Sequence, residues 1–252
     1  MKVKSIRELN KLKREGEQQI FPHTIRIQVG TAPCGLAKGA RGVVTTLRKE
    51  LDKAGVDASV VQVGCIGMCY AEPTVEVIIP GKPKLTYGNF TADTASSLVK
   101  ALAKGKLLKK NLLYRTNSEE LVVNGKTLTY AAKTPADLKK TPTAKDFPFF
   151  QPQTRITLRN AGLINPDSIE EYCARGGYSA LQKTLTKMTP EQVIEIVVKS
   201  NLRGRGGGGF PTGLKWQTCR EAKGKKKYVL CNCSEGDPGL GMHQSLIESD
   251  PH

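Results

Sequence analysis

What this sequence lacks narrows its class first. No apolar run approaches the roughly 20 residues that a membrane-spanning helix needs. The opening, MKVKSIRELNKLKREGE, is charged throughout and has no apolar core of the kind a secretory leader carries. A soluble, cytoplasmic chain with no direct membrane insertion is the expectation. Internal repeats are missing too, which sets aside solenoids and propellers. Acidic residues are scarce: 23 Asp and Glu stand against 39 Lys and Arg, a formal net charge of +16. A charge of that size raises the question of a nucleic-acid partner. The lysines, however, are scattered through KGKLLKKN, PADLKKTPTAKDF and EAKGKKKY, without interleaved aromatics and beside no DNA-binding motif. Solvated lysine is the preferred reading, and no nucleic-acid partner is expected.

What is present points to metal or redox chemistry. Seven cysteines without a secretory leader argue against a disulfide framework. The 252 residues leave room for two domains, and the fold class reads α/β. Ser5 to Glu15 has helical spacing at Ile6, Leu9 and Leu12. TIRIQV alternates like a strand. Lys38 to Ala54 carries Val43, Val44, Leu47 and Leu51 on one helical face, with Gly55 as its stop. DASVVQVG and TVEVIIPG read as two more strands. ADTASSLVKALAKG reads as a helix capped by Thr91. Residues 1–106 thus form a small α/β domain. Residues 107–150, rich in Lys, Thr, Asn and Pro, read as a linker with a hairpin around Asn124-Gly125. Residues 151–252 form a further α/β segment. In it SIEEYCARGGYSALQKTL predicts two short helices. MTPEQVIEIVVKSNL predicts a firm one, with Thr189 as N-cap, Pro190 at N1 and Gln192 completing a capping box.

The first candidate site is made of cysteines. Cys34 lies in GTAPCGLAKGA, directly after the first strand. Cys65 and Cys69 form a C-x3-C in GCIGMC, directly after the second. Strand ends of an open sheet face one way, so the two loops can converge. The surrounding glycines expose N–H groups that can hydrogen-bond to thiolate or sulfide. Inert buried cysteine is the plain alternative. It suits Cys65 and Cys69 poorly, because a glycine-rich loop packs little. The trio is the beginning of an iron–sulfur or zinc site.

From about Pro22 to Lys106, these motifs and the YAEPTVEV that follows resemble the thioredoxin-like [2Fe-2S] ferredoxins. That resemblance implies a thioredoxin-like fold and a [2Fe-2S] cluster on Cys34, Cys65 and Cys69. A cluster of this type takes four thiolates. The fourth cysteine is expected near Gln28, where there is none. A water, an amide or a cysteine from elsewhere would have to complete the set.

The second candidate site is NLRGRGGGGFPTGLKW, Asn201 to Trp216, in which six of sixteen residues are glycine. Gly204, Gly206 and Gly209 spell GxGxxG, but a helix precedes it where a dinucleotide fold needs a strand, so that fingerprint fails. Leu214 between Gly213 and Lys215 breaks the P-loop pattern as well. What remains is physical. A run without Cβ atoms lets backbone N–H groups close on a phosphate or a flat ring. Arg205 and Lys215 supply positive charge, and Phe210 and Trp216 could flank an aromatic ligand. A merely flexible loop is the alternative, against which FPTGLKW argues. Downstream, KYVLCNCSEGDPG predicts a short strand, Tyr228 to Leu230. It would end in a polar turn bearing Asn232, Glu235 and Asp237. Cys231 and Cys233 read as core and loop positions.

Together LRGRGGGGFPTGLKW and VLCNCSEGDPG resemble the flavin subunit of complex I and of related NAD-linked hydrogenases and electron-bifurcating enzymes. The resemblance implies an NAD(P)H:acceptor oxidoreductase that passes electrons from NADH through FMN to iron–sulfur clusters. It implies that Gly204, Arg205, Gly206, Gly207, Gly208, Gly209, Lys215 and Asn232 hold FMN. By the same resemblance Phe210 stacks on the nicotinamide, Glu235 lies at the hydride-transfer face, and Asp237 faces NAD(H). Ser234 stands where the family has Asp. Other iron–sulfur subunits are the implied partners. The family's remaining flavin fold, ubiquitin-like domain and four-cysteine region do not follow LIESDPH, so the flavin domain is expected to be truncated. A non-catalytic docking module that keeps the fold without the cofactors is the alternative.

Overall fold

The computed structural model describes residues 5–121, 126–224, 226–235 and 241–252. The chain divides into two compact units, Met1–Gly176 with Glu235–His252, and Gly177–Ser234.

In the first unit, Ser5 caps α1 (Ile6–Ile20), its hydroxyl accepting the Glu8 N–H at 3.2 Å. The helix runs one turn and more beyond the expected end at Glu15, because Gly16 and Ile20 continue its buried stripe. β1 (Ile25–Gly30) follows. The helix expected over Lys38 to Ala54 is present as α3 (Ala40–Ala54), and a short helix that the pattern did not show, α2 (Pro33–Ala37), precedes it. Gly39, at φ +94°, makes the break, a conformation that a residue with a Cβ avoids. α3 buries Val43, Val44, Leu47 and Leu51 and stops at Gly55, as its pattern predicts. β2 (Ala58–Val63) lies parallel to β1, so the intervening helices are the crossover a parallel pair requires.

β3 (Val75–Ile78) pairs antiparallel with β1, and β4 (Lys84–Tyr87) antiparallel with β3. Thr91 caps α4 (Ala92–Ala103). β5 (Leu112–Thr116) then pairs antiparallel with β4, giving the sheet order β2-β1-β3-β4-β5. A βαβ unit followed by a ββα unit on one mixed sheet is the expected thioredoxin-like α/β layout. β5 falls inside the segment read as a linker; its apolar LLY continues the sheet. β6 (Ser118–Leu121) and β7 (Lys126–Thr129) form the expected hairpin, whose turn at Asn124-Gly125 lies outside the described residues.

The two sheet faces differ in kind. Ile27, Val29, Val75, Val77, Leu85 and Tyr87 meet α3 and α4 in one apolar core. The alternate residues, Arg26, Gln28, Glu76, Lys84 and Thr86, are buried on the other side. There Arg26 pairs with Glu171 of α5 (Ile169–Ala174) at 2.8 Å. Lys84 pairs with Glu76 at 3.1 Å and with Glu119 at 3.6 Å, and Arg175 with Glu119 at 2.7 Å. Residues 151–176, grouped on sequence with the glycine-rich segment, therefore pack within the first unit.

In the second unit, α6 (Ser179–Lys187) precedes α7 (Pro190–Lys199), whose N-terminus carries the expected capping box between Thr189 and Gln192. α8 (Thr212–Glu221) packs on α7. A Cβ on Gly213 would stand 2.7 Å from the Val198 backbone nitrogen, so glycine sets how closely the helices meet. The strand expected at Tyr228 to Leu230 does not form. These three side chains are almost fully exposed, and a strand needs a partner that no neighbouring described residue supplies. α9 (Met242–Ser249) belongs to the first unit.

Among the described residues no helix is long and apolar enough to cross a membrane.

Candidate functional site

The parallel pairing of β1 and β2 puts their C-terminal ends on one edge of the sheet. Cys34 sits on α2 just beyond β1, and Cys65 and Cys69 follow β2. The expected convergence is found. Cys34 Sγ and Cys65 Sγ lie 3.6 Å apart, Cys65 Sγ and Cys69 Sγ 3.8 Å, and all three sulfurs fall within 4.8 Å of one another. The Gly67 N–H donates to Cys65 Sγ at 3.2 Å. Burial pushes the Cys65 thiol well above its ordinary value, against that N–H. Burial likewise raises Cys34. Three sulfurs this close, two of them thiols that burial keeps protonated, suit a cation that would take the protons' place.

Gln28, beside which the missing ligand is expected, is committed elsewhere. Its Nε2 donates to the Leu163 carbonyl at 3.0 Å on the polar face of the sheet. The residue that sequence reasoning missed is Glu72. It is 1% exposed and follows the C-x3-C loop by three positions. Burial raises its carboxyl above the usual range, while the Thr74 N–H and hydroxyl and the Cys65 thiol oppose that shift. The one signal was an acidic residue directly between a ligand loop and a buried strand.

The glycine-rich loop is closed at its base and open at its tip. Gly204 N–H donates to the Phe210 carbonyl at 2.9 Å, Thr212 N–H to the Leu202 carbonyl at 2.9 Å, and the Arg203 guanidinium to the Gly209 carbonyl at 3.2 Å. Gly207 and Gly209 take φ of +97° and +59°. At Gly206, Gly207, Gly208 and Gly209 an added Cβ would meet nothing within 4 Å. The run from Gly206 to Gly209 therefore borders open space and leads toward the N-terminus of α8. Such a loop, joined to a helix start, suits an anion. Phe210 is 54% exposed and Trp216 46%. Arg205 is exposed on the loop.

Lys215 and Trp216 stand on α8 and line an open groove with Met188, Ile194, Tyr228 and Leu230. Asn232 closes a turn on itself, its Oδ1 accepting the Ser234 N–H at 2.9 Å. Cys231 and Cys233 are both exposed, 3.4 Å apart, so Cys231 is no core residue; without the expected strand it has nothing to pack on. Glu235 belongs to the first unit and accepts the His243 N–H at 2.7 Å at the start of α9. That N–H holds its carboxyl below the usual range. Asp237 lies outside the described residues.

Residues 197–252 match the family model of the Nuo51 FMN-binding domain. The matched segment holds the whole glycine loop, α8 and the Cys231–Cys233 pair. Over 100 residues the chain is 51% identical to the NADP-reducing hydrogenase subunit HndC of Solidesulfovibrio fructosivorans, which covers 40% of this chain and 20% of that protein. It is 51% identical over 97 residues to the F subunit of the NADH-quinone oxidoreductase of Aquifex aeolicus, covering 38% and 22%. Against the NAD-reducing hydrogenase HoxS subunit alpha of Cupriavidus necator it is 55% identical over 64 residues, covering 25% and 11%. The chain spans about a fifth or less of the length of these curated relatives. A thioredoxin-like [2Fe-2S] ferredoxin from Aquifex aeolicus aligns with 37% of this chain and 93% of its own, at 17% identity and a TM-score of 0.32. The resemblance to flavin subunits that LRGRGGGGFPTGLKW carries is borne out by these matches. The Nuo51 segment and the three-cysteine cluster fit FMN and an iron–sulfur cluster respectively.

Proposed function

We propose that this chain carries the glycine-loop portion of an NAD(P)H-oxidising flavin subunit, joined to an iron–sulfur domain that relays or docks its electrons. The observation that carries this reading is the bare backbone of Gly206 to Gly209 inside the segment that matches the Nuo51 FMN-binding domain. FMN, when bound, supplies the conversion between the two-electron chemistry of a nicotinamide and one-electron iron–sulfur carriers. The residues that would hold it are Gly204 to Gly209, Lys215 and Asn232, with Arg205 and Lys215 offsetting phosphate charge. Phe210, exposed beside the loop, would take the nicotinamide ring. Glu235 and Asp237 would orient the bound NADH. Cys34, Cys65 and Cys69 would hold the cluster, and other iron–sulfur subunits would receive its electrons.

Two flavin measurements test this. Among the described residues nothing faces the tip of the loop within 4 Å, whereas a small-molecule site buries at least about 70% of its ligand. The chain alone is therefore expected to bind FMN more weakly than about 1 μM, read by flavin fluorescence. Fused to the remaining flavin-domain sequence of the Aquifex aeolicus relative, it should take up FMN and reduce a dye with NADH. Lys215→Ala should weaken that uptake. A fusion that folds yet takes up no flavin refutes the assignment.

A further inference from the structure

Three sulfurs leave an iron–sulfur cluster one ligand short, and the structure buries a carboxylate beside them. Glu72 is 1% exposed. Its Oε2 accepts from the Thr74 N–H at 2.6 Å and from the Thr74 hydroxyl at 3.3 Å. Its Oε1 is buried without a hydrogen-bond partner. A carboxylate oxygen left bare in the interior is unfavourable unless a donor or a cation meets it. Among the described residues no ion pair reaches Glu72. Lys38, whose charge acts on Glu72, donates its hydrogen bonds instead to the Cys69 and Tyr70 carbonyls, at 3.2 Å each.

The backbone around this carboxylate is cut to admit it. A Cβ on Gly30, at the end of β1, would stand 2.9 Å from Glu72 Oε2 and 2.7 Å from Thr74 Oγ1. A Cβ on Gly35, next to Cys34, would stand 2.3 Å from the Gly30 carbonyl oxygen and 3.2 Å from Glu72 Oε2. Two glycines in the Cys34 loop thus leave the space that Glu72 fills. The same carboxylate neighbours the Cys65 thiol of the other ligand loop. It is held between the two segments that carry the sulfurs.

We propose that Glu72 is the fourth ligand of the cysteine cluster, so that Cys34, Cys65, Cys69 and the Glu72 carboxylate together hold a [2Fe-2S] centre. The proposal rests on the reading of the cysteine trio as an iron–sulfur site. The unpartnered oxygen becomes the donor to iron. An oxygen ligand in place of a thiolate also makes this centre spectroscopically distinct from an all-cysteine one. Thr74 becomes the group that orients the carboxylate, the part that hydrogen-bonded neighbours of ligands usually take.

The experiment is anaerobic reconstitution of the full chain with iron and sulfide, for wild type, Glu72→Gln and Glu72→Cys. Wild type should load about two irons. Glu72→Gln should lose iron to a chelator at least about tenfold faster, since even outer-shell losses weaken metal sites roughly 10- to 100-fold. Glu72→Cys should keep its cluster and move its visible and reduced-state resonance spectra toward the all-thiolate form. One measurement needs no variant: the reduced wild-type resonance is recorded in water enriched in oxygen-17. An unbroadened signal beside an oxygen scatterer in iron X-ray absorption supports a carboxylate ligand. Broadening identifies water as the fourth ligand and overturns the proposal. Loaded Glu72→Gln with wild-type spectra and iron retention overturns it too, while leaving the cluster reading intact. A wild-type chain that takes up no iron ends both.

Discussion

Arg26 and Glu171 stand 145 residues apart in sequence and are joined by two hydrogen bonds of 2.8 Å, with both side chains almost wholly buried. Arg26 also donates to the Gln19 carbonyl at 2.9 Å, and Glu171 accepts the Asn165 N–H at 2.8 Å. One pair therefore ties α1, β1, the 165 turn and α5 together. Removing one partner leaves a buried charge alone, which costs about 3–5 kcal/mol. Replacing both with apolar groups of similar size removes that penalty. Arg26→Met should accordingly lower stability by about 3–5 kcal/mol, and Arg26→Met with Glu171→Leu should regain most of it. Urea unfolding of the two variants decides; equal losses in both would show that packing, not charge, governs the site. Nothing in the sequence joined these residues. IRIQV reads as a strand with polar residues facing outward, and only the arrival of residues 155–175 turns that face inward.

At the scale of elements, the patterns that depend on near neighbours were legible. The buried stripe of α3, the Gly55 stop, the Thr91 cap and the Thr189–Gln192 capping box are set within a few residues, and all are present. β4, a four-residue KLTY, and β5 were not legible, because short strands take their identity from the strands beside them. Tyr228 to Leu230 failed for the same reason in reverse. Glycines divide by what surrounds them. Gly213 packs against the Val198 backbone, whereas Gly206 faces open space. Gly213→Ala should push α8 off α7 and lower stability by about 1–3 kcal/mol. Gly206→Ala should change it by no more than about 0.5 kcal/mol, yet weaken FMN uptake in the completed fusion. Thermal melts with a flavin titration separate the two; equal destabilisation would mean that the loop, too, is packed.

Across the whole molecule, charge sets the response to acid. The chain already carries +16, and each carboxylate protonated adds to the excess. Glu119 is a carboxylate held by two cations, Lys84 and Arg175. Burial alone would raise it, but Lys84 and Arg175 outweigh burial and hold it below its ordinary value of 4.5. A carboxyl lowered in the folded state binds fewer protons there than in the unfolded chain. Its contribution is present above about pH 4.5 and is lost as pH falls through the folded value. Wild type should therefore lose stability steeply below about pH 4.5. Glu119→Gln should be less stable at about pH 7 and show a shallower slope in acid. Chemical unfolding at several pH values checks this; parallel curves would assign the acid response to general repulsion.

The sequence by itself determined the α/β character of the chain, most helix boundaries, the meeting of three cysteines and the likeness of its glycine loop to flavin subunits. These follow from spacing, from backbone freedom at glycine and from the rule that strand ends of one sheet face one way. The tertiary structure decided which face of the sheet is apolar and which is a network of buried ions. It decided that Gln28 is spent on Leu163 and that Glu72 is enclosed beside the sulfurs with an oxygen unmet. The reason is distance along the chain. A side chain's periodicity and its neighbours' propensities are local, but whether a carboxylate is buried, and against what, is settled only when Gly30, Cys34, Cys65 and Glu72 are brought to one edge of the sheet.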